Sequence, residues 1–146
     1  MDLFTTFTST MKTKHSLSLL LVCALTGFAW ADMAIETLPS GVKVEHLKMG
    51  TGASPTAADT VVAHYRGTLP DGKEFDSSYK RGEPIAFPLS RVIPCWTDGM
   101  QKIKIGGKAK LTCPPETAYG AEGVRGVIPP KATLTFEVEL VGIKKN

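Results

Sequence analysis

The chain has 146 residues, 42% of them hydrophobic and 21% charged, which suffices for one domain with its own core. Its net charge of +3 is small, and basic and acidic residues are mixed along the chain, so nucleic acid is not an expected partner. One group of lysines is predicted to form a solvated edge strand rather than a binding patch: Lys102, Lys104, Lys108 and Lys110.

Residues 1–31 are predicted to be a secretory signal peptide. Lys12 and Lys14 precede a fifteen-residue apolar stretch, which ends in an Ala-x-Ala processing motif at positions 29–31. An uncleaved anchor is the alternative, but the stretch is short for a membrane-spanning helix. Met11 is a second candidate for the start of translation. We therefore expect an exported protein, periplasmic or secreted, whose mature form does not span a membrane.

Residues 32–40 are predicted to be a short lead without a strong pattern, and the domain is expected over residues 41–146. Apolar and polar residues then alternate in short runs, as in strands with one buried face. Val61, Ala63 and Tyr65, for example, share one predicted face. The predicted strands are residues 42–46, 60–68, 73–76, 85–89, 108–113 and 133–143.

One helix is predicted over residues 92–103, where Trp96, Met100 and Ile103 recur with the spacing of one helix face. The loop at 114–130 is longer than a simple connection requires, which is typical of functional loops. The expected class is α+β: an antiparallel, twisted sheet wrapped on one short helix.

Seven aromatic residues follow position 31, and none is adjacent to another, so they come from separate strands and loops. In a small domain such rings either form one core or line one concavity, and the second option gives a dry small-ligand pocket. Asp76 and Tyr119 are the candidate polar groups of such a pocket. The seven rings are those of Tyr65, Phe75, Tyr79, Phe87, Trp96, Tyr119 and Phe136.

Motifs for covalent, metal or nucleotide chemistry are absent from the sequence. His46 and His64 have no metal-ligand spacing to a partner, and no HExxH or CxxC motif occurs. The sequence also lacks GxSxG, Walker A and GxGxxG motifs. We therefore expect neither a cofactor nor a bound metal.

Several segments between positions 40 and 143 form a recognisable series. They are Val62-Ala63-His64-Tyr65-x-Gly67-x-Leu69-x-Asp71-Gly72-x-x-Phe75-Asp76-Ser77-Ser78, Phe87-x-Leu89-x-x-Val92-Ile93-x-x-Trp96, Ala118-Tyr119-Gly120 and Ile128-Pro129-Pro130-x-Ala132-x-Leu134-x-Phe136-x-Val138-x-Leu140. In this order and spacing they closely resemble the FKBP-type peptidyl-prolyl cis-trans isomerases. The resemblance implies an antiparallel half-barrel of five to six strands around one short helix.

The resemblance also implies the roles of residues at one site. The Ile93 backbone N–H and the Tyr119 hydroxyl would each hold a substrate carbonyl, while Asp76 orients the site. A plain core role stays open for Phe136 and Ile128, and anchoring of the Asp-Ser-Ser turn stays open for Asp76. The implied catalytic residues are Tyr65, Asp76, Trp96, Tyr119 and Phe136, and the implied substrate-binding residues are Phe75, Phe87, Val92, Ile93 and Ile128.

The implied activity is peptidyl-prolyl cis-trans isomerisation. Rotation about a peptide bond costs roughly 18–20 kcal/mol because resonance gives the C–N bond double-bond character. A dry aromatic pocket destabilises the planar amide dipole more than the twisted form, so it lowers the barrier without a nucleophile. Expected partners are proline-containing unfolded or partly folded polypeptides, with macrolides such as tacrolimus or rapamycin as inhibitors. A monomer is expected. The alternative to an isomerase is a chaperone module that binds apolar ligands or clients in the same pocket without catalysis.

Cys95 and Cys113 are the cysteines left after removal of the signal peptide, 18 positions apart. In an oxidising compartment a disulfide between them would close a loop and contribute on the order of 3 kcal/mol. Two separately buried thiols are the alternative, and the sequence does not decide between them.

Overall fold

The structure is a computed structural model, and it describes residues 35–145. Its strands are β1 (Ile35–Thr37), β2 (Lys43–Lys48), β3 (Thr60–Thr68), β4 (Glu74–Ser77), β5 (Ile85–Pro88), β6 (Lys108–Cys113) and β7 (Leu134–Lys144). The α-helix of these residues is α1 (Pro94–Met100), and single-turn 3₁₀ helices lie at Tyr79–Arg81, Leu89–Arg91 and Pro115–Thr117. The predicted signal peptide lies outside the described residues. None of the described helices is long and apolar enough to cross a membrane.

The seven strands form one antiparallel sheet in the order β1-β2-β6-β7-β3-β4, and β5 also pairs with β3. The predicted α+β class, an antiparallel sheet with one short helix, is therefore confirmed. The described part of the chain has one strand more than the five to six expected. That strand is β1, which lies in the predicted lead and pairs with β2. Its three residues are too few to show an alternating pattern.

Alternation along β3 and β7 buries one face of each strand, as predicted. On β3 the buried residues are Val61, Ala63, Tyr65 and Gly67. The two strands are direct neighbours, with Gly67 of β3 opposite Phe136 of β7. This register brings the face that carries Tyr65 next to the face that carries Phe136. On β7 the buried residues are Leu134, Phe136, Val138 and Leu140.

Helix α1 begins two residues later and ends three residues earlier than predicted. Ile93 is extended (φ −58°, ψ 147°), because the ring of Pro94 disfavours a helical residue before it. Beyond the helix the backbone tightens, and the Ile103 N–H donates to the Met100 carbonyl at 3.1 Å. The predicted apolar face is nevertheless buried, since Trp96, Met100 and Ile103 all belong to the core.

The lysine group does not form an edge strand, so that prediction is wrong. Lys108 and Lys110 lie on β6, which is flanked by β2 and β7. Their side chains are partly exposed and lie beside acidic partners on those strands, at 3.6 Å from Lys108 to Glu137 and 2.7 Å from Lys110 to Glu45. The alternating charge pattern indicates a solvated face, which a central strand and an edge strand can equally have.

Candidate active site

A hollow of about 530 Å³ is lined by β3, β4, β5, β7, α1 and the loops near them. Nine of the ten residues expected at the site line this hollow. They come from segments that are distant in the sequence, so the strand pairing and the helix assemble the site. The lining residues are Tyr65, Phe75, Asp76, Phe87, Arg91, Val92, Ile93, Trp96, Tyr119 and Phe136.

Trp96 is the centre of the aromatic cluster. Its ring centroid lies 5.3 Å from Tyr65, 5.1 Å from Phe87 and 5.6 Å from Phe136. The interplanar angles of 70° to 89° are edge-to-face contacts, which aromatic quadrupoles favour. Because Trp96 and Phe136 are each 4% exposed and still line the hollow, core and concavity are one structure here.

Gly67 makes room for this cluster. A Cβ atom on Gly67 would lie 2.6 Å from Cζ of Phe75 and 2.9 Å from Cε1 of Phe136, closer than van der Waals contact allows. The two phenylalanine rings pack edge to face with their centroids 5.7 Å apart. The absent side chain therefore allows both rings to lie against β3.

A polar network supports one wall of the hollow. The Tyr65 hydroxyl donates to Oδ2 of Asp76 at 2.5 Å, and Arg81 donates to the Tyr65 oxygen at 2.6 Å. Arg81 also pairs with Oδ1 of Asp76 at 3.2 Å. Burial, followed by the hydrogen bond to Asp76, raises the pKa of Tyr65 to about 12. Oδ1 of Asp76 also accepts from the Ser77 N–H at 2.9 Å, so one carboxylate both holds the wall and anchors the turn.

Two of the hydrogen-bond donors at the hollow that have no acceptor among the described residues are the ones expected to hold the substrate. They are the backbone N–H of Ile93 and the hydroxyl of Tyr119, and both residues line the hollow. Tyr119 is 41% exposed, so its hydroxyl is accessible to a ligand. Among residues 35–145 no group of three or more His, Cys, Asp or Glu side chains is placed to hold a metal ion. The hollow thus offers apolar rings and a few donors to a ligand that brings carbonyl groups.

Ile128 is the one expected site residue that does not line this hollow. It is 6% exposed, belongs to the core, and also borders a second hollow formed by its own loop. Its backbone exchanges two hydrogen bonds with Val124, at 2.8 and 2.9 Å, which close the loop on itself.

Two arginines belong to the surroundings of the hollow: Arg91 lines it, and Arg81 pairs with Asp76 in its wall. Arg81 and Arg91 carry no signal in the hydrophobic pattern, and neither is among the expected site residues. An opposite charge five positions after Asp76 is the one sequence feature that points to Arg81. Tyr79 lies outside the hollow, as expected, and stacks on His64 with centroids 4.7 Å apart.

Cys95 and Cys113 are joined by a disulfide in the structure, with their Cα atoms 5.6 Å apart. Both side chains are fully buried. Cys95 lies in the first turn of α1, directly before Trp96, and Cys113 ends β6. The bond thus connects the helix that supports the aromatic cluster to a central strand.

Comparison with known proteins identifies the family. The family described as "FKBP-type peptidyl-prolyl cis-trans isomerase" matches residues 52–141. FkpA, an FKBP-type peptidyl-prolyl cis-trans isomerase of Escherichia coli K12, is 52% identical over 113 residues, which cover 77% of this chain and 42% of FkpA. "FK506-binding protein 1" of Dictyostelium discoideum is 48% identical over 106 residues, which cover 71% of this chain and 99% of that protein.

A crystal structure of FkpA from Escherichia coli has the same fold. Its TM-score is 0.73 at 52% identity, covering 76% of this chain and 52% of that one. The matched residues thus cover less than half of the full E. coli FkpA sequence. The family match and the FK506-binding protein relative confirm the resemblance that the motifs indicate, and the chain belongs to the FKBP-type peptidyl-prolyl cis-trans isomerase family.

Proposed function

We propose that this protein is a peptidyl-prolyl cis-trans isomerase that acts on X-Pro bonds of unfolded or partly folded polypeptides. The observation that carries the proposal is the aromatic hollow above Trp96, with the unpaired Ile93 N–H and Tyr119 hydroxyl at it. Membership of the family supports the same activity. X-Pro is the substrate because both isomers of this bond are populated and interconvert slowly.

The hollow lowers the rotation barrier by binding the twisted imide better than the planar one. The planar imide has the larger carbonyl dipole, and the aromatic walls solvate that dipole poorly. The Ile93 N–H and the Tyr119 hydroxyl donate to carbonyls on the substrate chain and hold it in place. The hydrogen bond from Tyr65 to Asp76 keeps the wall rigid beside the proline ring.

The cellular setting belongs to the same proposal. Residues 1–31 direct export to the periplasm or the cell exterior, and the mature domain acts there on secreted or envelope proteins as a monomer. Macrolides such as tacrolimus and rapamycin occupy the hollow and inhibit the enzyme. The name of the Dictyostelium relative, which records FK506 binding, supports the macrolide proposal.

A protease-coupled assay on a proline tetrapeptide tests the activity. Trp96→Ala and Phe136→Ala each remove an aromatic ring that lines the hollow. The value of kcat/KM is therefore expected to fall about tenfold or more in each variant. Tyr79→Ala is the matched control, because this ring lies outside the hollow, and it is expected to keep the activity. Undiminished rates in both wall variants would exclude the hollow as the active site.

Macrolide competition distinguishes an isomerase from a binding module that has no catalytic turnover. An isomerase loses its rate as tacrolimus is added, in proportion to occupancy of the hollow. A binding module binds tacrolimus, with quenched Trp96 fluorescence, but accelerates no peptide at any enzyme concentration. That second result would replace the isomerase proposal with the chaperone alternative.

A further inference from the structure

Two of the residues that line the hollow are charged, Asp76 and Arg91. The carboxylate of Asp76 is neutralised, because Arg81 pairs with it at 3.2 Å and Tyr65 donates to it. Arg91 is exposed and has no ion pair or hydrogen-bond partner for its side chain among the described residues. The lining therefore carries one uncompensated charge, and it is positive.

Arg91 lies close to the donor that would hold the substrate chain. It ends the 3₁₀ helix Leu89–Arg91, and Val92 and Ile93 follow it in extended conformation. An extended chain advances about 3.3 Å per residue, so Arg91 and Ile93 are about 7 Å apart along the backbone. A guanidinium on a flexible side chain reaches that far. A peptide held at the Ile93 N–H thus presents its neighbouring side chain to Arg91.

We propose that Arg91 makes the hollow select X-Pro segments with an acidic residue next to the proline and disfavour those with a basic one. This inference rests on the proposed function, since it assigns the substrate preference of the same site. Arginine matches a carboxylate with two parallel donors, which a lysine at this position cannot do.

The size of the preference follows from the exposure of Arg91. Exposed ion pairs change an equilibrium about two- to fivefold, and repulsion of a basic residue adds to this. We therefore expect kcat/KM for a glutamate peptide to exceed that for its lysine counterpart by about three- to tenfold at low salt. At about 1 M salt the ratio approaches one, because the Debye length falls to about 3 Å.

Exchange NMR on short peptides tests the inference, because it reports the isomerisation rate without a coupling protease. The peptides carry Glu, Gln or Lys either before or after the proline. In Arg91→Gln the preference of Glu over Lys is expected to vanish, and in Arg91→Glu it is expected to reverse. Lys48→Gln is the matched control: it removes one positive charge from β2, which contributes no residue to the hollow, and should keep the preference.

The outcomes distinguish this inference from the proposed function. If the Gln peptides are accelerated, and the Glu and Lys peptides are isomerised at equal rates at both positions, the role of Arg91 is rejected and the isomerase is kept. A second outcome is that no peptide is accelerated, but Glu peptides bind more tightly than Lys peptides and Arg91→Gln abolishes this difference in affinity. That outcome would reject the isomerase and keep the role of Arg91. A preference equally weakened by Lys48→Gln would assign it to net charge and overturn the inference.

Discussion

Gly67 contributes to the site through the space that it leaves. Any larger residue would displace Phe75 and Phe136, because its Cβ atom would lie within 3 Å of both rings. The strand pattern of β3 contains no sign of this requirement. A small residue at this position is a property of the packed aromatic rings and not of the strand itself.

Gly67→Ala is therefore expected to reduce stability by about 1–3 kcal/mol and to lower kcat/KM, since the displaced rings overpack the hollow. Chemical denaturation and the peptide assay measure the two effects. Gly142→Ala on β7 is the matched control, because the nearest atom to its Cβ would be Val62 Cβ at 3.9 Å, an ordinary contact. Equal stabilities and activities for the two variants would contradict this account of Gly67.

Tyr65 is expected to ionise later than an ordinary tyrosine. Burial and the hydrogen bond to Asp76 raise its pKa from 10.0 to about 12. Because the folded pKa is the higher one, the stabilisation from Tyr65 is complete below about pH 10 and is lost as the pH rises through about 12. Phenolate absorbance of the wild type minus that of Tyr65→Phe measures this titration. A difference that titrates at pH 10 would mean that neither the burial of Tyr65 nor its hydrogen bond to Asp76 persists in solution.

Helix α1 joins the aromatic cluster to the sheet through its first turn. The disulfide from Cys95 reaches the end of β6, while Trp96, the next residue, contacts three rings. Movement of the first turn would therefore move the base of the hollow. We infer that the disulfide serves the site as well as the stability of the domain.

The 146-residue chain contains three cysteines, so bonding of Cys95 to Cys113 leaves Cys23 as the single free thiol. One thiol is expected in the unfolded, unreduced chain, and none after removal of residues 1–31. Cys95→Ala/Cys113→Ala is expected to reduce the free energy of unfolding by about 3 kcal/mol. Reduced wild type should match this double variant. Two further reactive thiols in the unreduced chain would exclude the bond.

Pro94 decides where α1 begins, and this has a consequence for the site. The N–H of Ile93 would be unpaired in a helical conformation too. The extended backbone of Val92 and Ile93 instead determines that Arg91 lies at the edge of the hollow. The apolar spacing of Trp96 and Met100 predicts the buried face correctly. It does not locate the ends of the helix, since Ile103 stays on the same buried face although it lies beyond Met100, the last helical residue.

The loop before β3 and the end of β7 are linked by one buried carboxylate. Asp59 is 4% exposed and accepts from Nζ of Lys145 at 2.7 Å and from the backbone N–H of Thr56 at 2.8 Å. The hydrogen bond from Lys145, followed by that from Thr56, lowers the pKa of Asp59. The carbonyl of Asp59 also accepts from the N–H of Leu89, the first residue of the 3₁₀ helix that ends at Arg91.

Because the folded pKa of Asp59 is the lower one, its contribution to stability is present above the ordinary aspartate pKa of about 3.9 and is lost as acid protonates it. Lys145→Met is therefore expected to lower the unfolding midpoint at neutral pH, and the difference from wild type should shrink below about pH 4. The control is Lys144→Met, since Lys144 has no ion pair among the described residues. A difference that is independent of pH would contradict the role of the ion pair.

Much of this protein follows from local sequence. Alternation in β3 and β7 predicts their buried faces, because residue spacing reports directly which side chains share a face. The family resemblance that the motif series carries implies nine of the ten residues that line the hollow. Tertiary structure alone decided the rest. It paired the three-residue β1 with β2, placed β6 between β2 and β7, and joined Arg81 to Asp76. These features depend on contacts between segments distant in the chain, and such contacts leave no periodic trace in the sequence.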